Sequence, residues 1–97
     1  MPRLAFRRTP GIIRREVGSD VLLLDPRDES LHVLNTTAAV VWDLLVGPRS
    51  AEELVADLAQ RFEVAPGDAV ARDITHLLES LVARGLVREL PAGPETP

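Results

Sequence analysis

The chain has 97 residues, 45% of them hydrophobic, with 11 basic residues, 15 acids and a formal net charge of −4. That length supports one domain with a single modest core and excludes a deep cleft between two lobes. With no cysteine, a disulfide framework and thiolate metal sites are excluded, and every apolar run falls far short of a membrane span. The charge is uneven: Arg3, Arg7, Arg8, Arg14 and Arg15 fall in the first 15 residues without an acid, so the rest of the chain is strongly acidic. An acidic body repels nucleic-acid phosphate, so nucleic acid is not an expected partner. No apolar segment with a small-residue cleavage site follows the N-terminal arginines, so they are not read as a secretory signal and a cytoplasmic location is expected.

Residues 1–10 are read as a flexible basic tail. Ile12–Val17 and Val21–Leu24 then read as strands joined through Gly18-Ser19, a pair with glycine first that suits a two-residue hairpin. Asp25-Pro26-Arg27-Asp28-Glu29 is turn chemistry and returns the chain into Ser30–Leu34 as a third strand. Three helices follow. In the first, Ala38, Val41, Trp42 and Leu45 recur at helical spacing after an Asn35 or Thr36 cap, and Gly47-Pro48 is the stop. The second opens on the capping box Ser50-Ala-Glu-Glu53 and carries Leu54, Val55, Leu58 and Phe62 as its buried stripe. The third runs from about Asp68 to Arg84, buries Val70, Ile74, Leu77, Leu78 and Leu81, and ends at Gly85. Val87 and its neighbours extend as a short final strand, and residues 91–97, rich in Pro and Gly, read as a second tail. The fold class is α+β, a winged-helix-like order of a three-stranded antiparallel meander followed by three helices.

Asp73, His76 and Ser80 lie on one side of the third helix and invite comparison with a catalytic triad. A straight helix offers neither the sharp turn nor the converging oxyanion donors that nucleophilic catalysis requires, so no enzyme and no catalytic residue is expected. His32 and His76 are the only histidines, 44 positions apart, and zinc wants three or four close ligands, so no metal or other cofactor is expected. Glu52, Glu53, Asp57 and Glu63 read as a solvated acidic face that suits the positive end of a helix dipole, and Trp42 reads as core packing.

The run Leu31-His-Val-Leu-Asn-Thr-Thr-Ala-Ala-Val-Val-Trp-Asp-Leu-Leu45 takes a strand directly into an amphipathic helix, after a hairpin and before two more helices, the last closing in Ala83-Arg-Gly-Leu-Val87. This order resembles the PqqD-like family, the small peptide-binding domains also called RiPP recognition elements, over about residues 10–90. The resemblance implies a peptide-binding domain over residues 11–90. Such domains bind the leader region of a ribosomally made precursor peptide and present it to modifying enzymes, such as a radical SAM enzyme, a leader peptidase or a cyclase, in lasso-peptide or PQQ-type pathways. The leader adds as a strand to the edge of the third β-strand, against the third helix. Carried onto this chain, the edge is Ser30, Leu31, His32, Val33 and Leu34, and the groove-facing helix positions are drawn from Asp73, Leu77, Ser80 and Arg84. The alternative from another class is a winged-helix DNA-binding regulator, against which the acidic body argues.

Overall fold

The computed structural model describes residues 4–63 and 67–91. In chain order the elements are β1 (Leu4–Arg8), β2 (Ile13–Val17), β3 (Asp20–Asp25), β4 (Ser30–Leu34), α1 (Thr36–Leu44), β5 (Arg49–Ser50), α2 (Ala51–Arg61), α3 (Asp68–Ala83) and β6 (Val87–Pro91). Strands β2, β3 and β4 form the expected antiparallel meander. A second sheet, ordered β5-β1-β6, was not expected.

The N-terminal segment is therefore corrected. Leu4–Arg8 is the central strand of that second sheet, paired with β6 from Leu4 opposite Pro91 to Arg8 opposite Val87. Ala5 is buried, and Thr9 just beyond the strand donates from Oγ1 to the Gly85 carbonyl oxygen at 2.8 Å. Five residues with weak alternation carry little strand signal, and their partner lies at the far end of the chain. The segments 1–3 and 92–97, read as parts of the two tails, lie outside the described residues.

Local chemistry sets the other boundaries. Gly18 takes φ +64° at the first turn position, which a Cβ would disfavour, and Val17 and Asp20 close the pair around it. Asn35 caps α1 by accepting the Ala38 amide at 2.9 Å. Ser50 and Glu53 form the full capping box of α2, at 3.1 Å and 2.8 Å. After α3, Gly85 at φ +76° lets the Leu86 amide reach the Leu81 carbonyl and the Gly85 amide reach the Val82 carbonyl, the paired bonds of a Schellman motif.

The core gathers Val21, Leu23 and Leu34 from the meander, Val41, Trp42 and Leu45 near α1, Leu54 and Leu58 from α2, and Ile74, Leu78 and Leu81 from α3. Each fully buried Leu among them contributes roughly 1.5–3 kcal/mol by leaving water. Trp42 is packed as expected, with its Nε1 donating to the Leu86 carbonyl at 3.2 Å. Phe62 departs from its expected place: it caps α2 after the last turn and is exposed, because the chain turns away at Glu63, where φ is +55°.

Candidate functional site

Strand β4 pairs with β3 and with no other strand among the described residues, so one of its edges is open. The hairpin phase says which backbone groups face that edge. In a two-residue hairpin the residues flanking the turn exchange backbone hydrogen bonds, so Val17 and Asp20 do, and with them every second pair of β2 and β3. Asp20, Leu22 and Leu24 thus turn their N–H and C=O groups to β2, while Val21, Leu23 and Asp25 turn theirs to β4. Their partners in β4 are Leu34, His32 and Ser30. It follows that Leu31 and Val33 point their amides and carbonyls outward.

Side chains alternate with the same period. Leu34 is buried and His32 and Ser30 are half-buried on the face that meets the helices, whereas Leu31 and Val33 are 60% and 58% exposed on the opposite face. There Leu31 lies in register with Leu24 and Ile13, and Val33 with Leu22 and Arg15, which makes an apolar outer surface. That surface escaped the sequence reading, although the unbroken run Val21–Leu24 places apolar residues on both faces of a strand.

The start of β4 is tied by side-chain hydrogen bonds. Asp28 accepts the Ser30 amide at 3.0 Å and its hydroxyl at 2.6 Å. Ser30 Oγ also lies 2.9 Å from His32 Nε2, and since the hydroxyl proton is already given to Asp28, His32 Nε2 is the donor of this bond. The Ser30 bonds hold the Asp28 carboxyl below the usual aspartate range. Next to it, Asp25 is buried and accepts from the Arg27 amide, Nε and Nη2 at 3.0, 2.9 and 2.6 Å. Arg27 lowers the Asp25 pKa to about 2, chiefly through its side-chain bonds and against the opposing effect of desolvation.

On α3, Asp73, Leu77, Ser80 and Arg84 share one flank, within about 60° of one another at 100° per residue. Leu77 and Ser80 are half-buried, and Asp73 and Arg84 are exposed. The other flank faces α2 and β1: Thr75 lines a cavity against α2, and Val82 lines a second cavity beside Phe6. The end of α3 is tied to the β3–β4 turn by Arg27 Nη2, which donates to the Gly85 carbonyl at 3.1 Å. The structure thus gathers Ser30–Leu34 into one open edge and the four helix residues onto one flank, with no side-chain hydrogen bond between the two sets among the described residues.

Asp73, His76 and Ser80 make no side-chain hydrogen bond or ion pair, with one another or with any other described residue. Among the described residues no group of three His, Cys, Asp or Glu side chains is placed to hold a metal ion, and no helix is long and apolar enough to cross a membrane.

A family model described as coenzyme PQQ synthesis protein D (PqqD) matches residues 20–87. The chain belongs to the PqqD family. Among solved structures, this PqqD-family chain is similar to lasso peptide synthetase B1 complexed with the leader peptide, at 30% identity and a TM-score of 0.71, over 86% of this chain and 96% of that one. It shares its fold with TbiB1 in complex with the TbiA(beta) leader peptide, at 19% identity and a TM-score of 0.72, over 92% and 99% of the two chains. It also shares its fold with the PqqD truncation of Methylobacterium extorquens PqqCD, a stand-alone RiPP recognition element, at 21% identity and a TM-score of 0.71, over 87% and 88%. A comparison with curated proteins gave no match. None of these likenesses points to a DNA-binding regulator.

Proposed function

We propose that this protein binds the leader region of a ribosomally synthesised precursor peptide by strand addition to β4, and presents it to modifying enzymes without itself catalysing a reaction. The observation that carries this reading is the open edge at Leu31 and Val33, whose outward amides and carbonyls offer a strand the groups it needs to pair. Each such bond is worth about 0.5–1.5 kcal/mol net, so the side chains at the edge must supply the rest of the affinity and its selectivity. Membership of the PqqD family supports the reading, as does a relative at 30% identity that was solved with a leader peptide.

In this reading Ser30, Leu31, His32, Val33 and Leu34 form the edge, and Asp73, Leu77, Ser80 and Arg84 line the helix side of the groove. The enzyme that receives the peptide is a radical SAM enzyme, a leader peptidase or a cyclase, in a lasso-peptide or PQQ-type pathway. A cytoplasmic location follows, since the precursor leaves the ribosome there.

The test titrates a synthetic leader peptide, taken from whichever short precursor gene is found to neighbour this one, into the full-length 15N-labelled protein. Saturable binding with slowed hydrogen exchange at the Leu31 and Val33 amides is expected. Binding that leaves both amides exchanging as in the free protein would overturn strand addition at this edge.

A further inference from the structure

On the flank of α3 that faces α2 and β1, two cavities of about 400 and 350 Å³ share Ala51 and Thr75, and so join into one groove. Its floor is apolar, with Phe6, Leu78 and Val82 at one end and Val55 and Ala71 at the other. From Ala71 to Ala83 it follows α3 for about 18 Å, at 1.5 Å per residue. Acids border both ends: Glu52 beside Val55, and Glu79 and Glu89 at the Phe6 end. Register places two of them. Glu89 stands opposite Phe6 in the β1–β6 pair, so the two side chains share a face of the sheet, and Glu79 lies one helical turn from both Thr75 and Ala83. Among the described residues none of the three acids has a hydrogen bond or ion pair.

Arginines of this chain do not answer these acids. Arg49, on the other side of Phe6, is engaged with the Leu44 carbonyl and Asp57, and Arg72 stands two helical turns before Glu79, about 10 Å along the axis. An apolar floor between unpaired carboxylates selects apolar side chains flanked by cations, and the net charge of −4 adds to the attraction. The walls are helix side chains and one face of a sheet, which offer an occupant no row of backbone partners. An extended segment would leave its inward N–H and C=O groups unpaired there, whereas a helix satisfies them internally. A second copy of this chain has no basic helix to give: the chain lacks lysine, α1 has no arginine, and α2 and α3 carry Arg61 and Arg72 alone.

We propose that this groove is a second docking site, which takes a basic amphipathic helix of a partner polypeptide: apolar residues at i, i+3 and i+7 on the floor, and Arg or Lys beside them against Glu52, Glu79 and Glu89. The site goes beyond leader binding and stands on its own geometry. Thr75, Glu79 and Val82 lie roughly 160° around α3 from the flank of Asp73, Leu77, Ser80 and Arg84, at 100° per residue, so a leader held at β4 leaves the groove open.

The test titrates the full-length 15N-labelled chain with the capped peptide acetyl-(Leu-Arg-Ala-Leu-Arg-Lys-Ala)2-amide, with its counterpart carrying Glu in place of Arg and Lys, and with a scrambled peptide of the same composition that has no apolar face. Saturable shifts are expected at the Phe6, Thr75, Glu79, Val82 and Glu89 amides, with the Leu31 and Val33 amides unmoved. Glu79→Gln and Glu89→Gln should each weaken binding about two- to fivefold, the range of an exposed ion pair, and added salt should weaken it further. Both residues are exposed and unpaired among the described residues, so their replacement leaves folding intact. Thr75→Arg sets a cation and a long side chain in mid-groove and should cost more than either, read beside its thermal transition. Asp20→Asn removes the same charge from the β2–β3 hairpin and should leave affinity unchanged. The proposal fails if the peptide gives no saturable shifts, if the Glu or the scrambled peptide binds equally well, if Asp20→Asn weakens binding as much as Glu79→Gln, or if the shifts fall on β4. It also fails, in favour of a second copy, if the same amides shift with protein concentration alone. Failure here leaves leader binding at β4 untouched, because that is read at different amides with a different peptide.

Discussion

Arg27 reaches from the β3–β4 turn to two places at once: its guanidinium grips the buried carboxylate of Asp25, and its Nη2 donates to the Gly85 carbonyl at the end of α3. The Asp25–Arg27 pair thereby sets the distance between the edge strand and the helix that would flank a bound peptide. Gly85 is the residue that allows the approach, since its φ of +76° turns the carbonyl there and a Cβ would stand 3.4 Å from Arg27 Nη2.

Acid should loosen this joint. The folded pKa of Asp25, about 2, lies below the ordinary value of 3.8, so its contribution to stability is complete above about 3.8 and is lost as pH falls toward 2. Asp28, also lowered, adds in the same direction. Urea midpoints measured from pH 7 to pH 2 should fall below pH 4 in the parent and fall less steeply in Asp25→Asn, which starts lower. An unchanged acid slope in that variant would show that other carboxylates carry the loss.

Gly85→Ala should lower stability by about 1 kcal/mol, the usual cost of a Cβ in the left-handed region, and should also move Arg27. Gly18→Ala is the comparison, with a similar φ of +64° and open space around its Cα. If leader affinity falls in Gly85→Ala and holds in Gly18→Ala at equal thermal loss, the α3 joint shapes the groove. Equal affinities in the two would confine Gly85 to folding.

Proline scanning of β4 separates its two backbone phases. Leu31→Pro removes an outward amide and should keep the thermal transition, since proline is tolerated on an edge strand with that orientation. The same variant should lose roughly 1–3 kcal/mol of leader binding, the cost of leaving a partner group unpaired. His32→Pro removes an amide that bonds to β3 and should destabilise the meander. A folded Leu31→Pro that binds leader as tightly as the parent would place the peptide elsewhere.

Asp73→Arg tests the helix flank. Asp73 is exposed and has no partner among the described residues, so the replacement should leave the thermal transition in place. If Asp73 faces the bound peptide, its carboxylate selects a basic residue there, and reversing its charge should weaken leader binding several-fold, most at low salt. Calorimetry at two salt concentrations checks this, and affinity equal to the parent at both would assign Asp73 to the solvated face.

What the sequence determined by itself is local. Gly18 at the hairpin, Asn35 before α1, the Ser50/Glu53 box and Gly85 after α3 each act on backbone groups within about five positions, so their chemistry is written in adjacent letters. The β4 strand and the helical stripe around Ile74 were legible for the same reason, through periods of two and 3.6 residues. Only the tertiary structure decided that Leu4–Arg8 is a central strand, because the bond from Thr9 to Gly85 spans 76 positions of chain and the pairing with β6 spans still more, and no local preference encodes a pairing at that range. The same holds for Arg14 on Asp43 and Arg8 on Trp42: an arginine reads alike in every neighbourhood until packing brings a carboxylate or an indole beneath it. Burial of the common core is what brings these distant segments together, and it depends on the summed apolar surface of the whole chain rather than on any one segment.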